Sequence, residues 1–174
     1  FGSGTHGTTE GCLRALSFLR RLVAPKRILD MGCGSGILSI ASARLWPRSK
    51  IVALDVDSDA VATTRENIKL NQVKRQIDCD RSNGYPKKSP NRKTKFDIIV
   101  ANILAGPLFD MAYDSSRWVN KGGFVILSGL LIHQERYVLA AFRSCGLQLF
   151  KRQHISGWST IILRKSSIRK SAML

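Results

Sequence analysis

Residues 28–36 read ILDMGCGSG, and residues 37–45, ILSIASARL, follow without a break. A short apolar run closed by glycines and continued at helical spacing predicts a strand, a tight turn and a helix. That context separates a nucleotide-type glycine loop from a chance cluster of small residues. Within it, Gly32 lets the chain turn, Gly34 removes a side chain where a ligand must approach the backbone, and Gly36 allows helix and strand to pack closely.

The same alternation continues on both sides. Leu13, Leu16, Leu19 and Val23 predict a helix over 11–23 that Pro25 ends. IVALDVD (51–57) is a second strand, and Ser58 opens a helix over 58–70 with Asp59 in its first turn. Residues 74–79 form a weak third strand. FDIIVAN (96–102) is a strongly apolar fourth, a helix follows at 107–118, GGFVILSG (122–129) is a fifth strand, and 133–144 is helical. The stretches 147–153 and 158–164 have no helix between them and should pair antiparallel. Such a pattern means an α/β, three-layer, doubly wound fold with a mainly parallel sheet. Ligand should bind beyond the carboxyl ends of the central strands.

The 174 residues suit one domain, and 44% are hydrophobic, which excludes a disordered chain. Lys and Arg number 28 against 12 Asp and Glu, a formal charge of +16. This excess should attract nucleic acid, acidic protein surfaces or anionic lipid. It concentrates in KKSPNRKTK (87–95) and RKSSIRK (164–170). These runs are either solvated basic loops or contacts to RNA. The four cysteines show no metal spacing, so no metal site is expected, and a reducing compartment fits them. No apolar run reaches the roughly 18 residues of a membrane span, and a soluble, cytoplasmic monomer is expected.

Two acids point to the ligand. Asp30 immediately precedes the loop, where a carboxylate repels pyrophosphate but receives the amine of a bound amino acid. Asp55, 19 residues after Gly36, ends the next strand, where an acid accepts ribose hydroxyls. An acid for an amino acid and another for a ribose suit S-adenosylmethionine. Of Asp78 and Asp80, Asp80 is chosen to meet the adenine amino group, although both could simply balance nearby cations. Asn102 ends the fourth strand beside the loop. Its amide oxygen, and the carbonyls of Asn102 and Ile103, can accept N–H bonds from an incoming amine and aim its lone pair. Of three histidines, His6 is the best candidate base, because it lies in the polar opening stretch; His133 and His154 are read as helix or loop residues.

FGSGTHGTTEGCL (1–13), ILDMGCGSGILSIA (28–41) and VANILAGPL (100–108) together resemble the ribosomal protein L11 methyltransferase family, and DVDSDAVATTRENIKLN and GGFVILSGLL agree. The resemblance covers nearly the whole chain. It implies a class I S-adenosylmethionine-dependent methyltransferase fold, with sheet order 3-2-1-4-5-7-6 and strand 7 antiparallel. It implies methylation of the α-amine and lysine side chains of ribosomal protein L11. It would put Phe1, Gly2, Gly4, Thr5 and His6 in the cofactor pocket and Thr8 at the methionine end. Gly32, Gly34, Asp55 and Asn102 carry over as cofactor or methyl-site residues, and Leu104 would wall the acceptor channel.

The sequence departs from the family at Ser3, at Gly7 where Pro is usual, which should loosen that loop, and in the long basic loop 81–95, an expected contact to rRNA. Residues 1–174 are read as the catalytic domain, without the amino-terminal domain by which the family recruits L11. Two alternatives stay open: a methyltransferase for rRNA or another ribosomal component, and a non-catalytic basic module that binds RNA or the ribosome.

Overall fold

The computed structural model describes residues 6–86, 91 and 94–166. The expected pocket residues Phe1, Gly2, Gly4 and Thr5 lie outside this set, as does much of the basic loop.

Seven strands form one sheet: β1 (Arg27–Met31), β2 (Lys50–Asp55), β3 (Ile77–Arg81), β4 (Phe96–Asn102), β5 (Val119–Leu131), β6 (Leu147–Ile155) and β7 (Trp158–Lys165). Their order is β3-β2-β1-β4-β5-β7-β6, and β7 runs antiparallel to both neighbours. This is the order and orientation expected. Among the described residues the α-helices are α1 (Gly7–Leu19), α2 (Ile37–Leu45), α3 (Ser58–Leu70), α4 (Ala105–Asp110), α5 (Ala112–Trp118) and α6 (Glu135–Ser144).

The period-2 geometry of the strands divides their side chains between two cores. Ile28, Ile98 and Ile126 pack with Leu16 of α1, Leu38 of α2 and Ile68 of α3. Their neighbours Leu29, Ile99 and Leu127 pack on the other face with Leu108 of α4, Ala112 of α5 and Phe142 of α6. Strands buried on both faces explain why RIL, FDIIVA and FVIL read as continuous apolar runs.

Several boundaries differ from the sequence expectation: α1 ends at Leu19, well before Pro25, β5 and β6 are longer than expected, and three further differences bear on the site. First, α1 begins at Gly7, because His6 caps it: Nδ1 accepts the Thr8 N–H at 3.4 Å. Gly7 is therefore the first residue of a helix. Second, β3 spans 77–81 instead of 74–79, which carries the chain two residues further up the sheet. Third, the helix expected at 107–118 is divided at Met111 into α4 and α5.

Gly11 shows how α1 docks. A Cβ there would collide with Thr160 of β7, so its absence lets helix and sheet approach. Ser128 of β5 completes the contact, donating to the Thr8 carbonyl at 3.2 Å and meeting Thr160 Oγ1 at 2.8 Å. Buried hydroxyls at this seam are thus hydrogen-bonded to one another and to backbone.

Candidate active site

Above the carboxyl ends of β1, β2 and β4 lies a cleft of about 490 Å³, a size suited to a nucleotide-like ligand. Its floor is the glycine loop between β1 and α2. Gly32, Gly34 and Gly36 all have positive φ, at 75°, 55° and 80°. The Gly32 and Cys33 N–H groups donate to the Leu54 carbonyl at 2.7 and 3.0 Å, and Gly34 N–H donates to Asp55 Oδ2 at 2.9 Å. From the other side, Thr64 Oγ1 donates to the Gly34 carbonyl and Asn67 Nδ2 to the Ser35 carbonyl, both at 2.8 Å. The loop is therefore held in its open shape by β2 and α3.

Each glycine has its own reason. A Cβ at Gly34 would meet nothing within 4 Å, so the space above it is open to a ligand. A Cβ at Gly32 would strike Ile103 Cγ2. A Cβ at Gly36 would sit 3.0 Å from Thr64 Cγ2, so this glycine serves the packing of loop on α3, not of helix on strand.

Asp55 lines the cleft at the end of β2. Its two oxygens accept the N–H groups of Gly34 and Asp57, the latter at 3.0 Å. Asn102, the last residue of β4, lines the cleft and also an adjoining hollow of about 70 Å³ over Gly32, Cys33 and Gly34. Its Nδ2 donates to Thr9 Oγ1 at 3.4 Å, while its buried Oδ1 has no partner among the described residues. Ile103 lies between two glycines: its side chain covers Gly32, and its backbone packs on Gly129 of β5, where a Cβ would lie 2.8 Å from the Ile103 carbonyl carbon. The Ile103 carbonyl group expected to receive an amine thus rests against the sheet. Leu104 is 59% exposed at the mouth, beside Pro107 and Met111.

Other expected site residues sit elsewhere. Asp30 is fully buried and lines neither hollow, because strand alternation turns it under α2. Ser39 Oγ donates to its Oδ2 at 2.6 Å, and its Oδ1 has no partner. Burial pushes its pKa up to about 6, with Ser39 opposing the rise and the Asp55 charge adding to it. Asp80 is 73% exposed on the outer side of β3, paired with Arg65 at 3.0 Å. Because β3 runs to Arg81, the cleft is reached instead by Ser82, Asn83 and Gly84. Thr8 is buried and meets His6 Nδ1 through Oγ1 at 2.8 Å. Its neighbour Thr9 is the residue that lines the hollow. His6 caps α1 and leans on Trp158, with ring centroids 5.2 Å apart, and does not line the cleft. His154 is engaged away from the cleft by Glu135, at 2.8 Å.

Sequence reasoning missed Thr9, Val56, Asn83 and Met111. The Asn83-Gly84 turn pair was a usable signal, since it marks where the chain leaves β3. Among the described residues, no group of three His, Cys, Asp or Glu side chains could hold a metal, and no helix is long and apolar enough to cross a membrane.

Comparison with known proteins agrees with this geometry. The family described as "Ribosomal protein L11 methyltransferase (PrmA)" matches residues 1–166. A ribosomal protein L11 methyltransferase of Bradyrhizobium diazoefficiens is 41% identical over 165 residues, covering 95% of this chain and 56% of the relative. One from Chelativorans is 39% identical, with 95% and 57% covered. The chain thus spans about half the length of the curated relatives it matches. The crystal structure of a ribosomal protein L11 methylase from Lactobacillus delbrueckii subsp. bulgaricus superposes with a TM-score of 0.77 at 31% identity, covering 94% of this chain and 81% of that one. A methyltransferase from Pyrococcus furiosus, at 18% identity and a TM-score of 0.71 over 89% of this chain and 83% of its own, shares the fold.

Proposed function

Because the chain belongs to the ribosomal protein L11 methyltransferase family, we propose that residues 1–174 are the catalytic domain of an S-adenosylmethionine-dependent N-methyltransferase whose substrates are the lysine and α-amino groups of ribosomal protein L11. A cytoplasmic site of action accords with such a substrate. The observation that carries the reading is Asn102. It stands on the cleft beside the glycine loop, with one amide group tied to Thr9 and the amide oxygen unpaired.

The residues present fit the cofactor. Gly34 leaves open the space that a Cβ would enter, Asp55 stands at the strand end suited to a ribose, and Met31 and Val56 give the cleft apolar wall. The cofactor supplies a methyl group on a sulfonium, already activated for displacement by an amine. The protein then needs chiefly to position the amine. Asn102 Oδ1 accepts an N–H of the neutral amine and so fixes the direction of its lone pair. Thr9 keeps the amide from turning. Leu104, Pro107 and Met111 line the mouth and shield it from water. None of these groups is a strong base, so the amine loses its excess proton to solvent before it is aligned.

The test is incubation of the protein with labelled S-adenosylmethionine, L11 and rRNA, followed by mass spectrometry of both. Methyl groups on L11 nitrogens support the reading. Methyl groups on rRNA alone favour the alternative substrate. Absence of S-adenosylmethionine binding by the folded protein favours a non-catalytic module.

A further inference from the structure

Among the described residues, a row of cations lies at the end of the sheet opposite the cleft, where the parallel strands begin. Lys26 and Arg27 stand at the start of β1, and Lys50 is the first residue of β2. Lys74 and Arg75 lie in the connection into β3, and Lys95 immediately precedes β4. Lys121 lies near the start of β5, and Lys165 ends the antiparallel β7, which brings it to the same edge. Neighbouring strands are about 4.8 Å apart, so from β3 to β7 this row spans roughly 24 Å. The upper strand ends carry several acids, with Asp55 ending β2, Asp57 and Asp59 following it and Glu135 opening α6, beside the cation Arg81 that ends β3. At the lower end the row of cations faces two acids on the strands, Asp78 of β3 and Asp97 of β4.

The row is not neutralised from within. Among the described residues, no carboxylate comes within ion-pair distance of Lys26, Lys95 or Lys121. Of the acids at that end, Asp97 is occupied by the N–H groups of Lys26 and Arg27, at 2.7 and 3.1 Å, and by Asn120 Nδ2 at 2.8 Å, while Asp78 shares a hollow with Lys74. Partial burial, and then the charges of Lys95 and Lys121, hold the Lys165 ammonium below the usual lysine range, which places three cations close enough to repel. Helix macrodipoles favour cations near helix carboxyl ends, but they do not account for lysines on the strands themselves. Crowded cations of this kind are relieved by a polyanion.

The geometry points to this end of the sheet as a docking surface for an RNA phosphate backbone, separate from the methyl-transfer cleft. Two guanidinium groups there are laid over aromatic rings: Arg27 over Phe96 at 5.2 Å and Arg164 over Phe124 at 5.5 Å. Such preorganised forks suit phosphodiesters better than a diffuse anionic surface. A membrane surface would also require an apolar anchor. The exposed leucines near this end are single residues far apart in the chain, Leu22 in the connection after α1 and Leu70 at the end of α3. The surface supplies affinity without sequence readout, since phosphate contacts position a partner and base contacts specify it.

The experiment is fluorescence anisotropy of the protein with a labelled RNA hairpin across a salt series. Wild type is compared with Lys26→Glu, Lys95→Glu, Lys121→Glu and the triple variant, and S-adenosylmethionine binding reports an intact fold. Each single change is expected to weaken RNA binding severalfold and to flatten the log K against log salt slope by about one. The triple variant should lose measurable binding at physiological salt while still binding cofactor. The proposal is overturned if the triple variant binds RNA as tightly as wild type, if wild type fails to bind RNA at that salt, or if polyglutamate or vesicles of phosphatidylcholine with phosphatidylserine bind as well as RNA does.

Discussion

Gly34 donates its backbone N–H to Asp55 Oδ2 across 2.9 Å, joining the loop after β1 to the end of β2. One carboxylate thereby shapes the floor of the cleft and stands at the position suited to a ribose. Asp55→Ala removes both roles. A hydrogen bond to a charged group contributes about 1.5–3 kcal/mol, so S-adenosylmethionine affinity is expected to fall at least about tenfold. Isothermal titration measures this, and an unchanged far-ultraviolet spectrum shows the sheet intact.

Asn102→Ala removes the unpaired amide oxygen from the cleft. By analogy with the loss of one preorganised polar group in other active sites, kcat is expected to fall about a hundredfold. Cofactor affinity should change little. Thr9→Val frees the Asn102 amide to turn and should cost less. If the two act as a unit, the double variant is no slower than Asn102→Ala, a non-additivity that single-turnover kinetics detects.

Gly34 and Gly129 predict opposite phenotypes. Gly34→Ala meets no protein atom within 4 Å, so its structural cost is the left-handed backbone alone, about 1 kcal/mol. Its Cβ enters the cleft, and cofactor binding should suffer more than stability. Gly129→Ala presses on the Ile103 backbone, which has no flexible end to give way. That variant should unfold at clearly lower denaturant concentration. Parallel denaturation and binding curves separate the two.

Asp30 gives the chain a pH signature. Its folded pKa, about 6, lies above the ordinary 3.8. Between those values the folded state holds more protons than the unfolded state, so stability from this group is greatest below pH 3.8 and is lost as pH rises through about 6. The difference is at most about 3 kcal/mol. Asp30→Asn removes the dependence. Relative to wild type, the variant should gain stability progressively from pH 4 to pH 7 in urea melts, and a constant difference would show that Asp30 does not titrate in this range.

Positions set by strand ends were legible in the chain. Asn102, Asp55 and Gly34 reach the cleft because apolar runs end just before them, and a parallel sheet exposes those ends together. Positions set by side-chain alternation or strand length were less so. Asp30 reads as a ligand residue from its place before the loop, yet one residue of alternation puts it beneath α2. Asp80 gives way to Asn83 because β3 begins three residues later than its weak pattern suggested. Thr8 and Thr9 are indistinguishable as letters, and only the helix that His6 starts turns one into the core and the other to Asn102.

The sequence by itself determined the order of elements, the parallel doubly wound class and the glycine loop, because these follow from local periodicity and turn chemistry. The tertiary structure alone decided which polar groups share the cleft and which lysines of the described residues stand together at the strand starts. Those depend on register between strands distant in the chain: the lysines at 26, 50, 95, 121 and 165 become neighbours only when hydrogen-bonded strands bring their ends to one edge.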